Sequence, residues 1–263
     1  MNRQSAKYIL LIVAIVLVMS GCGAHRNIPP ASHAVKKNIG MVVAIEMDSV
    51  LAKYGKPAGT VRTSGYELMR YDNEAYTLYV VRSGIGEISA AAATQFLITE
   101  CKADVIVNFG VVGALTEAMK TTDVCFVEKV VHYDFECTGM PNAPRGIYPG
   151  KRSPWVETSG KLAAIARRVY PGLPGVVCAS ADKFVDSAAA KKHLRKEFGA
   201  DICEMEAAGI AIVCERNGIP CLLVKSVSDS LHGGHKEFEK ELARASAKAV
   251  QILDGIIREM SQQ

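Results

Sequence analysis

The chain has 263 residues, of which 49% are hydrophobic and 22% are charged, and its formal net charge is +4. This balance predicts a globular protein with a sizeable core, and the length allows one or two domains. The charge is too small and too scattered for a nucleic-acid surface. The sequence also has no basic run with interleaved aromatics and no sustained heptads, so neither nucleic-acid binding nor a coiled coil is predicted.

The first 22 residues have the pattern of an export signal. Arg3 and Lys7 form a basic start, and residues 9–19 are an unbroken apolar run that is too short for a comfortable membrane span. The run ends in "MSGC", which resembles a bacterial lipoprotein cleavage site with Cys22 as the acylated residue. The sequence therefore predicts an exported protein that a lipid on Cys22 anchors to a bacterial membrane, on the periplasmic or cell-surface side. An ordinary signal peptide or a short membrane anchor is the alternative.

Residues 23–37 are predicted to be a linker, and residues 38–263 alternate short β-rich runs with longer helical patterns. Strands are predicted at residues 38–45, 76–82, 104–110, 124–131, 175–180 and 221–229, and a turn at 110–114. Helices are predicted at residues 87–101, 159–170, 187–198, 207–217 and 236–260. This alternation predicts an α/β fold: a single domain with a central mixed, mostly parallel β-sheet flanked by helices.

Seven cysteines follow Cys22, an odd number without a CxxC pair. Exported proteins usually pair their cysteines. Most of these cysteines, however, lie inside apolar runs such as "VVCAS", where a free thiol behaves as a small hydrophobic group. We predict mostly free, buried thiols, and a disulfide stays open as the alternative.

Four polar clusters follow predicted strands, at the sheet edge where ligands bind in α/β folds. They are "EMD" at residues 46–48, "SGIG" at 83–86, "EME" at 204–206 and "SD" at 228–229. Each also has a purely structural interpretation, because glycines suit a tight turn, acids suit a helix start and Ser-Asp suits a cap. Since several acids would meet at one edge of the sheet, we predict a binding site there.

The order of these segments resembles a known family. The segments are "SGIG", "DVIVNFG" followed by "GAL", "SADKFV", "EMEAAGIA" and "KSVSD". Together they resemble the purine nucleoside phosphorylase superfamily, and within it most closely the methylthioadenosine/S-adenosylhomocysteine nucleosidases. The resemblance runs from about residue 38 to the end of the chain. It implies a nucleoside phosphorylase-like domain, a purine nucleoside as the ligand, and a homodimer.

On the side of the leaving base, the resemblance assigns roles to four residues. Asp229 would protonate N7 of the purine, and Ser228 would orient that carboxyl group. Phe184 would stack on the base, and the backbone of Val185 would form hydrogen bonds with it. The acid is needed because a purine leaves poorly as an anion.

On the side of the sugar, Glu206 would bind the ribose hydroxyls, Met205 would lie beneath the ring, and Glu204 would support the site. A carboxylate here favours the oxocarbenium-like transition state of glycoside cleavage. The other residues implied to line the substrate site are Ile85, Val112, Gly113 and Phe238, with Tyr148 and Pro149 supplied by a partner subunit.

The nucleophile side departs from the family pattern, in which a glutamate, a serine and an arginine hold the water. Those positions here are Asp48, Val111 and Lys225, and Glu46 lies near Asp48 as a second candidate carboxylate. The side chain of Val111 cannot hydrogen-bond water, and Lys225 keeps the charge of arginine without its planar fork.

Three functions therefore stay open. We predict hydrolysis of the N-glycosidic bond of 5′-methylthioadenosine or S-adenosylhomocysteine, with release of adenine and with Asp48 or Glu46 positioning the water. A phosphate-dependent phosphorylase is one alternative, although the usual phosphate-binding arginine after the first strand is missing. A nucleoside-binding lipoprotein with little or no turnover is the other.

A histidine pair, His232 and His235, lies in a glycine-rich loop. No cysteine or acid stands nearby at ligand spacing, so we predict a loop that covers the pocket rather than a metal site. The implied reaction needs neither a metal nor an organic cofactor.

Overall fold

The computed structural model describes residues 36–141 and 144–262. The predicted signal segment and all but the last two residues of the predicted linker lie outside the described residues. No helix within the described ranges has the length and hydropathy needed to cross a membrane.

Strands and helices alternate along most of the chain. The strands are β1 (Lys37–Val43), β2 (Gly59–Thr63), β3 (Tyr66–Asp72), β4 (Tyr76–Arg82), β5 (Val105–Ala114), β6 (Val124–His132), β7 (Trp155–Glu157), β8 (Gly175–Ser180), β9 (Ile202–Glu204) and β10 (Cys221–Asp229). The helices are α1 (Met47–Tyr54), α2 (Glu87–Glu100), α3 (Gly160–Val169), α4 (Ala188–Phe198), α5 (Ala207–Asn217) and α6 (His235–Met260).

The strands form one mixed sheet, part of which closes on itself. Strands β4, β1, β5 and β10 are parallel neighbours, and the β2–β3 hairpin extends the sheet beyond β4 in antiparallel pairing. On the other side, β10 pairs with β6, β6 with β8, β8 with β9, and β9 returns to β5. Five strands therefore enclose a ring whose rim is formed by the ends of β5, β9 and β10.

Helices cover both faces of the sheet, which explains why its central strands are apolar without alternation. Helices α2 and α5 pack on one face through small and aromatic side chains such as Ala93, Phe96 and Ala211. Helices α1, α3 and α6 pack on the other face through Val50, Leu162 and other buried residues. All residues of β10 are buried. The predicted α/β fold with a mostly parallel sheet is confirmed.

Two local predictions differ from the structure. Residues 110–114 continue strand β5 instead of forming a turn, because β10 and β9 both supply partners to Gly113. Helix α1, the β2–β3 hairpin and the three-residue strands β7 and β9 were not predicted. Strand β2 is largely exposed, and α1 and the two strands are too short to show a clear periodicity.

The cysteine prediction is confirmed. All seven cysteines of the described ranges are free thiols, and all but Cys137 are buried.

Candidate active site

A cleft opens at the carboxyl ends of the parallel strands. The loops after β1 and β4, the end of β5, strand β9 and the end of β10 form its walls. It is lined by Ala44, Ile45, Glu46, Ile85, Val111, Val112, Gly113, Lys183, Phe184, Val185, Cys203, Glu204, Met205, Glu206, Ser228, Asp229 and Phe238. Every residue that the sequence analysis assigned to the substrate side of the chain's own cleft is among them.

The end of β10 directs Ser228 and Asp229 into the cleft. The pairing of β10 with β5 shifts register between Val227 and Asp229, and such a bulge re-aims side chains. The Ser228 hydroxyl lies 2.8 Å from Asp229 Oδ1 and 3.2 Å from the carbonyl oxygen of Val112. Both residues are buried, so the Asp229 carboxyl group is held in a nearly water-free position.

The second oxygen of Asp229 contacts a residue that the sequence analysis missed. Lys191 Nζ lies 2.5 Å from Asp229 Oδ2, and both side chains are buried. Lys191 belongs to the same buried stripe of α4 as Leu194 and Phe198. The signal that could have identified it is a lysine on the apolar stripe of an amphipathic helix. A lysine is rarely buried without a partner, so a lysine at such a position predicts a buried partner of opposite charge.

Glu204 stabilises the start of helix α5. Its carboxylate accepts hydrogen bonds from the backbone amides of Glu206 (3.0 Å) and Ala207 (2.9 Å), and Lys225 Nζ lies 3.0 Å from Oε2. Burial opposes ionisation of Glu204, but Lys225 and the hydrogen bonds from Ser180 and Ala207 outweigh it and lower its pKa. Burial likewise opposes the charge on Lys225, yet Glu204 and Glu206 raise its pKa. The helix-start interpretation therefore holds for Glu204, and it comes together with a buried ion pair.

Glu206 links the "EME" motif to the "SGIG" turn. Its Oε1 accepts a hydrogen bond of 2.9 Å from the amide of Gly86. Gly86 has φ 103°, a backbone conformation that favours glycine. Burial, and then the charge of Glu204, raise the pKa of Glu206 to about 8. At neutral pH this carboxyl group can therefore donate a hydrogen bond as well as accept one.

A third acid, Glu87, lies behind the cleft and was not predicted. Its carboxyl group contacts the Ser180 hydroxyl and the amide of Gly209, and Ser180 also contacts Glu204. One hydroxyl proton cannot satisfy two carboxylates. Glu204 is the ionised partner because it has Lys225, so Glu87 carries the additional proton. Consistently, burial and the charge of Glu204 raise the pKa of Glu87 to about 7.

Of the two carboxylates proposed to hold water, the structure brings only Glu46 into the cleft. Its Oε1 accepts a hydrogen bond of 3.3 Å from the amide of Val111, and its Oε2 one of 3.0 Å from the amide of Ile45. A Cβ at Gly110 would lie 3.1 Å from Glu46 Oε1 and 3.5 Å from Lys225 Nζ. Both charged groups therefore flank Gly110.

Asp48 lies elsewhere, which corrects its proposed place in the site. It is an exposed residue in the first turn of α1 and does not line the cleft. Helix α1 begins at Met47, and its first turn directs Asp48 to solvent.

Aromatic side chains form the outer wall of the cleft. Phe184 is 44% exposed, and its ring meets that of Phe238 edge to face at a centroid distance of 5.4 Å. His235 lies near both rings, whereas His232 pairs with Glu117 in solvent. The two histidines thus have separate surroundings, and within the described ranges no group of three or more His, Cys, Asp or Glu residues could hold a metal ion.

The sequence profile of the Phosphorylase superfamily matches residues 39–258. That range includes the sheet apart from the first two residues of β1, the helices apart from the last two residues of α6, and every residue lining the cleft. The chain belongs to the phosphorylase superfamily.

Known proteins are similar to this chain in sequence. An aminodeoxyfutalosine nucleosidase of Helicobacter pylori strain J99 is 29% identical over 188 residues, which are 70% of this chain and 81% of the relative. A 5′-methylthioadenosine/S-adenosylhomocysteine nucleosidase of an Exiguobacterium species is 30% identical over 190 residues, again 70% and 81%.

Solved structures of superfamily members give the same result. The futalosine hydrolase of Helicobacter pylori strain 26695 has a TM-score of 0.81 at 26% identity, covering 85% of this chain and 98% of that one. A 5′-methylthioadenosine/S-adenosylhomocysteine nucleosidase from Helicobacter pylori with butyl-thio-DADMe-Immucillin-A has a TM-score of 0.81 at 26% identity, covering 86% and 99%. The predicted resemblance to this superfamily and to these nucleosidases is confirmed.

Proposed function

We propose that this protein hydrolyses the N-glycosidic bond of a purine nucleoside, 5′-methylthioadenosine or S-adenosylhomocysteine, and releases adenine. The observation that carries the proposal is that one cleft holds a buried acid, Asp229, and a second carboxylate, Glu46. Asp229 approaches strand β5 beside Gly113 and Glu46 approaches it beside Gly110, so the two carboxyl groups lie at different points of the cleft. An acid for the leaving group and a separate carboxylate for the water are the pair that hydrolysis of a glycosidic bond uses.

The cleft residues supply each chemical step. Asp229 gives a proton to N7 of the purine, so that the base leaves as a neutral molecule. Glu206 binds the ribose hydroxyls, because its carboxyl group can accept a hydrogen bond from one and donate a hydrogen bond to the other. Glu46 accepts a proton from the water that attacks C1′. Phe184 stacks on the base, and Met205 lies beneath the ribose.

The charges in the cleft support water rather than phosphate as the nucleophile. Among the described residues lining the cleft, Lys183 is the one cation, and its Nζ is 2.6 Å from Asp134 Oδ1. Lys225, just behind, is paired with Glu204. A phosphate dianion would therefore meet the Glu46 carboxylate without an uncommitted cation. Since Val111 offers the water no side-chain hydrogen bond, we expect turnover slower than a serine at this position would allow.

The test is adenine release from 5′-methylthioadenosine, followed by chromatography with and without phosphate. The proposal predicts release without phosphate and no stimulation by it. Strict dependence on phosphate would identify a phosphorylase. Tight binding without release would identify a nucleoside-binding protein and contradict hydrolysis.

We also propose that the protein works as a homodimer. Ile88 is 81% exposed, and Ile85, which lines the cleft, is 55% exposed. Tyr148 is stacked on Phe135 and does not line the cleft of its own chain, as expected if it serves the partner's cleft. Light scattering at micromolar concentration should give the mass of two chains, and Ile88→Asp should lower it. A fully active monomer would contradict the proposal.

The location is proposed from the sequence pattern alone. Cys22 would carry a lipid that holds the domain at a bacterial membrane on its periplasmic or cell-surface side. In a bacterial host, the full chain should fractionate with membranes and incorporate labelled fatty acid. Cys22→Ser should abolish the labelling. A soluble, unlabelled wild-type chain would contradict the anchor.

A further inference from the structure

Lys191 is a fully buried lysine whose ammonium group lies directly behind Asp229. Its Nζ is 2.5 Å from Asp229 Oδ2, 2.6 Å from the carbonyl oxygen of Ser230 and 3.1 Å from that of Gly233. An ammonium group has three N–H donors, and each has an acceptor here. Lys191 is 0% exposed, so neither solvent nor substrate reaches it. Its contacts mark it as a residue that acts through Asp229.

Local structure holds this lysine in place. Helix α4 begins at Ala188, after Ser187, whose side chain accepts a hydrogen bond from the amide of Ala190. Lys191 lies in the first turn and faces the core. A Cβ at Gly113 would lie 3.0 Å from Asp229 Oδ2 and 3.4 Å from Lys191 Cε. The absence of a side chain at Gly113 therefore allows Lys191 and Asp229 to pack against strand β5.

The two oxygens of Asp229 have different partners. Oδ2 contacts Lys191, and Oδ1 lies 2.8 Å from the Ser228 hydroxyl. These contacts fix the plane of the carboxyl group, which is 3% exposed. Among the described residues, Lys191 is the cation paired with Asp229. A buried carboxylate without such a partner would be strongly disfavoured.

We propose that Lys191 is a positioning residue for leaving-group protonation, an inference that rests on the proposed hydrolase function. As the bond between C1′ and N9 breaks, its electron pair goes to the purine, and the proton of Asp229 passes to N7. Water adds to C1′ and loses its proton to Glu46. Asp229 is left as a buried carboxylate, and the Lys191 ammonium compensates that charge while holding Oδ2 in place. The same ammonium holds the loop carbonyls of Ser230 and Gly233, so the acid and the loop before α6 keep a common position.

The test compares two substrates in Lys191→Met, which keeps the length of the side chain and removes its charge. The leaving base of 5′-methylthioadenosine needs a proton, whereas 4-nitrophenyl β-riboside loses a stable anion that does not. Because general acids contribute about 10²–10⁴-fold, we expect kcat on methylthioadenosine to fall by about 10–100-fold with little change in KM. On the nitrophenyl riboside the loss should stay below about threefold, a small fraction of the effect expected of a general acid. Asp229→Asn should show the same substrate dependence. Lys192→Met, at an exposed position next along α4, is the matched control and should change neither rate.

Equal losses on both substrates would mean that Lys191 is merely structural and would overturn the inference. If Lys191→Met does not fold, because Asp229 is left unpaired, the double variant Lys191→Met/Asp229→Asn removes both charges. It should then be no slower on methylthioadenosine than Asp229→Asn alone, and a further loss would overturn the inference as well. A wild-type protein that cleaves neither substrate would instead refute the proposed hydrolase function, and the inference with it.

Discussion

At the residue scale, the partner of each buried carboxylate determines what that group can do. Glu204 has a lysine and helix amides and is ionised. Glu87 and Glu206 have no cation at contact distance among the described residues, and they hold their protons to higher pH. Asp229 has Lys191. Glu46 is bound by two backbone amides. The cleft thus separates acids that provide structure from acids that face the substrate.

The assignment of Glu46 to the water gives the first prediction. Glu46→Gln keeps the shape of the side chain but cannot accept a proton, so adenine release should fall by about 100-fold or more. Asp48→Asn is the matched control, because Asp48 is exposed and outside the cleft. Its rate should equal that of the wild type. Loss of activity in the Asp48 variant alone would reverse the assignment.

The buried pair of Glu204 and Lys225 gives the second prediction. Glu204→Gln leaves the Lys225 ammonium buried without its counter-charge, which should lower the free energy of unfolding by about 3–5 kcal/mol. Urea denaturation measures this. The control is Glu215→Gln, which breaks the exposed pair with Lys151 and should cost about 0–1 kcal/mol. If both variants lost a similar free energy of unfolding, burial would not be what makes the Glu204–Lys225 pair stabilising.

At the scale of elements, the close contact between helices α2 and α5 brings the "SGIG" turn to the "EME" motif. Gly209 is the point of closest approach, where a Cβ would lie 2.4 Å from the carbonyl oxygen of Glu87. The atom it would meet is backbone and cannot move without shifting α2. The glycine therefore determines how near Gly86 comes to Glu206, and so the shape of the ribose end of the cleft.

The third prediction follows from this contact. Gly209→Ala should destabilise the protein by about 1–3 kcal/mol, as overpacking does, and should weaken nucleoside binding because Gly86 moves from Glu206. Gly160→Ala is the control, since Gly160 begins α3 with nothing within 4 Å of its Cβ position. That change should be neutral or stabilising by up to about 1 kcal/mol. Thermal unfolding of both variants measures the change in stability. A Gly209→Ala protein with the stability and the nucleoside binding of the wild type would contradict the prediction.

At the scale of the whole molecule, two buried acids connect stability to pH. The pKa values of Glu87 and Glu206 are raised to about 7 and about 8, mainly by burial. Between their unfolded and folded pKa values the folded protein binds more protons than the unfolded chain, so stability falls as pH rises. Burial lowers the pKa of His132, which acts in the opposite sense below about pH 6.5. The fall in stability with rising pH should therefore be clearest from about pH 6.5 to pH 8.

The fourth prediction is that the melting temperature of the wild type falls over this interval. Glu87→Gln, which cannot ionise, should reduce the slope while preserving the contact with Ser180. Calorimetry at constant ionic strength measures both curves. A wild-type melting temperature that rises over the interval, or an unchanged slope in Glu87→Gln, would contradict the protonated state assigned to Glu87.

Features that depend on residues close together in the chain could be predicted from the sequence alone. Continuous apolar runs mark strands buried on both faces, as at residues 221–224 of β10, and Gly199 and Gly218 end helices α4 and α5 in left-handed conformations. The residues of the leaving-group and ribose side could be named because short motifs of the chain carry the resemblance to the nucleosidases, and the resemblance assigns their roles. All of them line the cleft.

The contacts between charged groups are known only from the folded structure. Lys191 and Asp229 are 38 residues apart, and Glu87 and Ser180 are 93 apart, so no local pattern contains either contact. The choice of Glu46 over Asp48 depends on where helix α1 starts, and the length of β5 depends on partners from β9 and β10. Burial and pairing set the charge of these groups, and both come from segments that folding brings together.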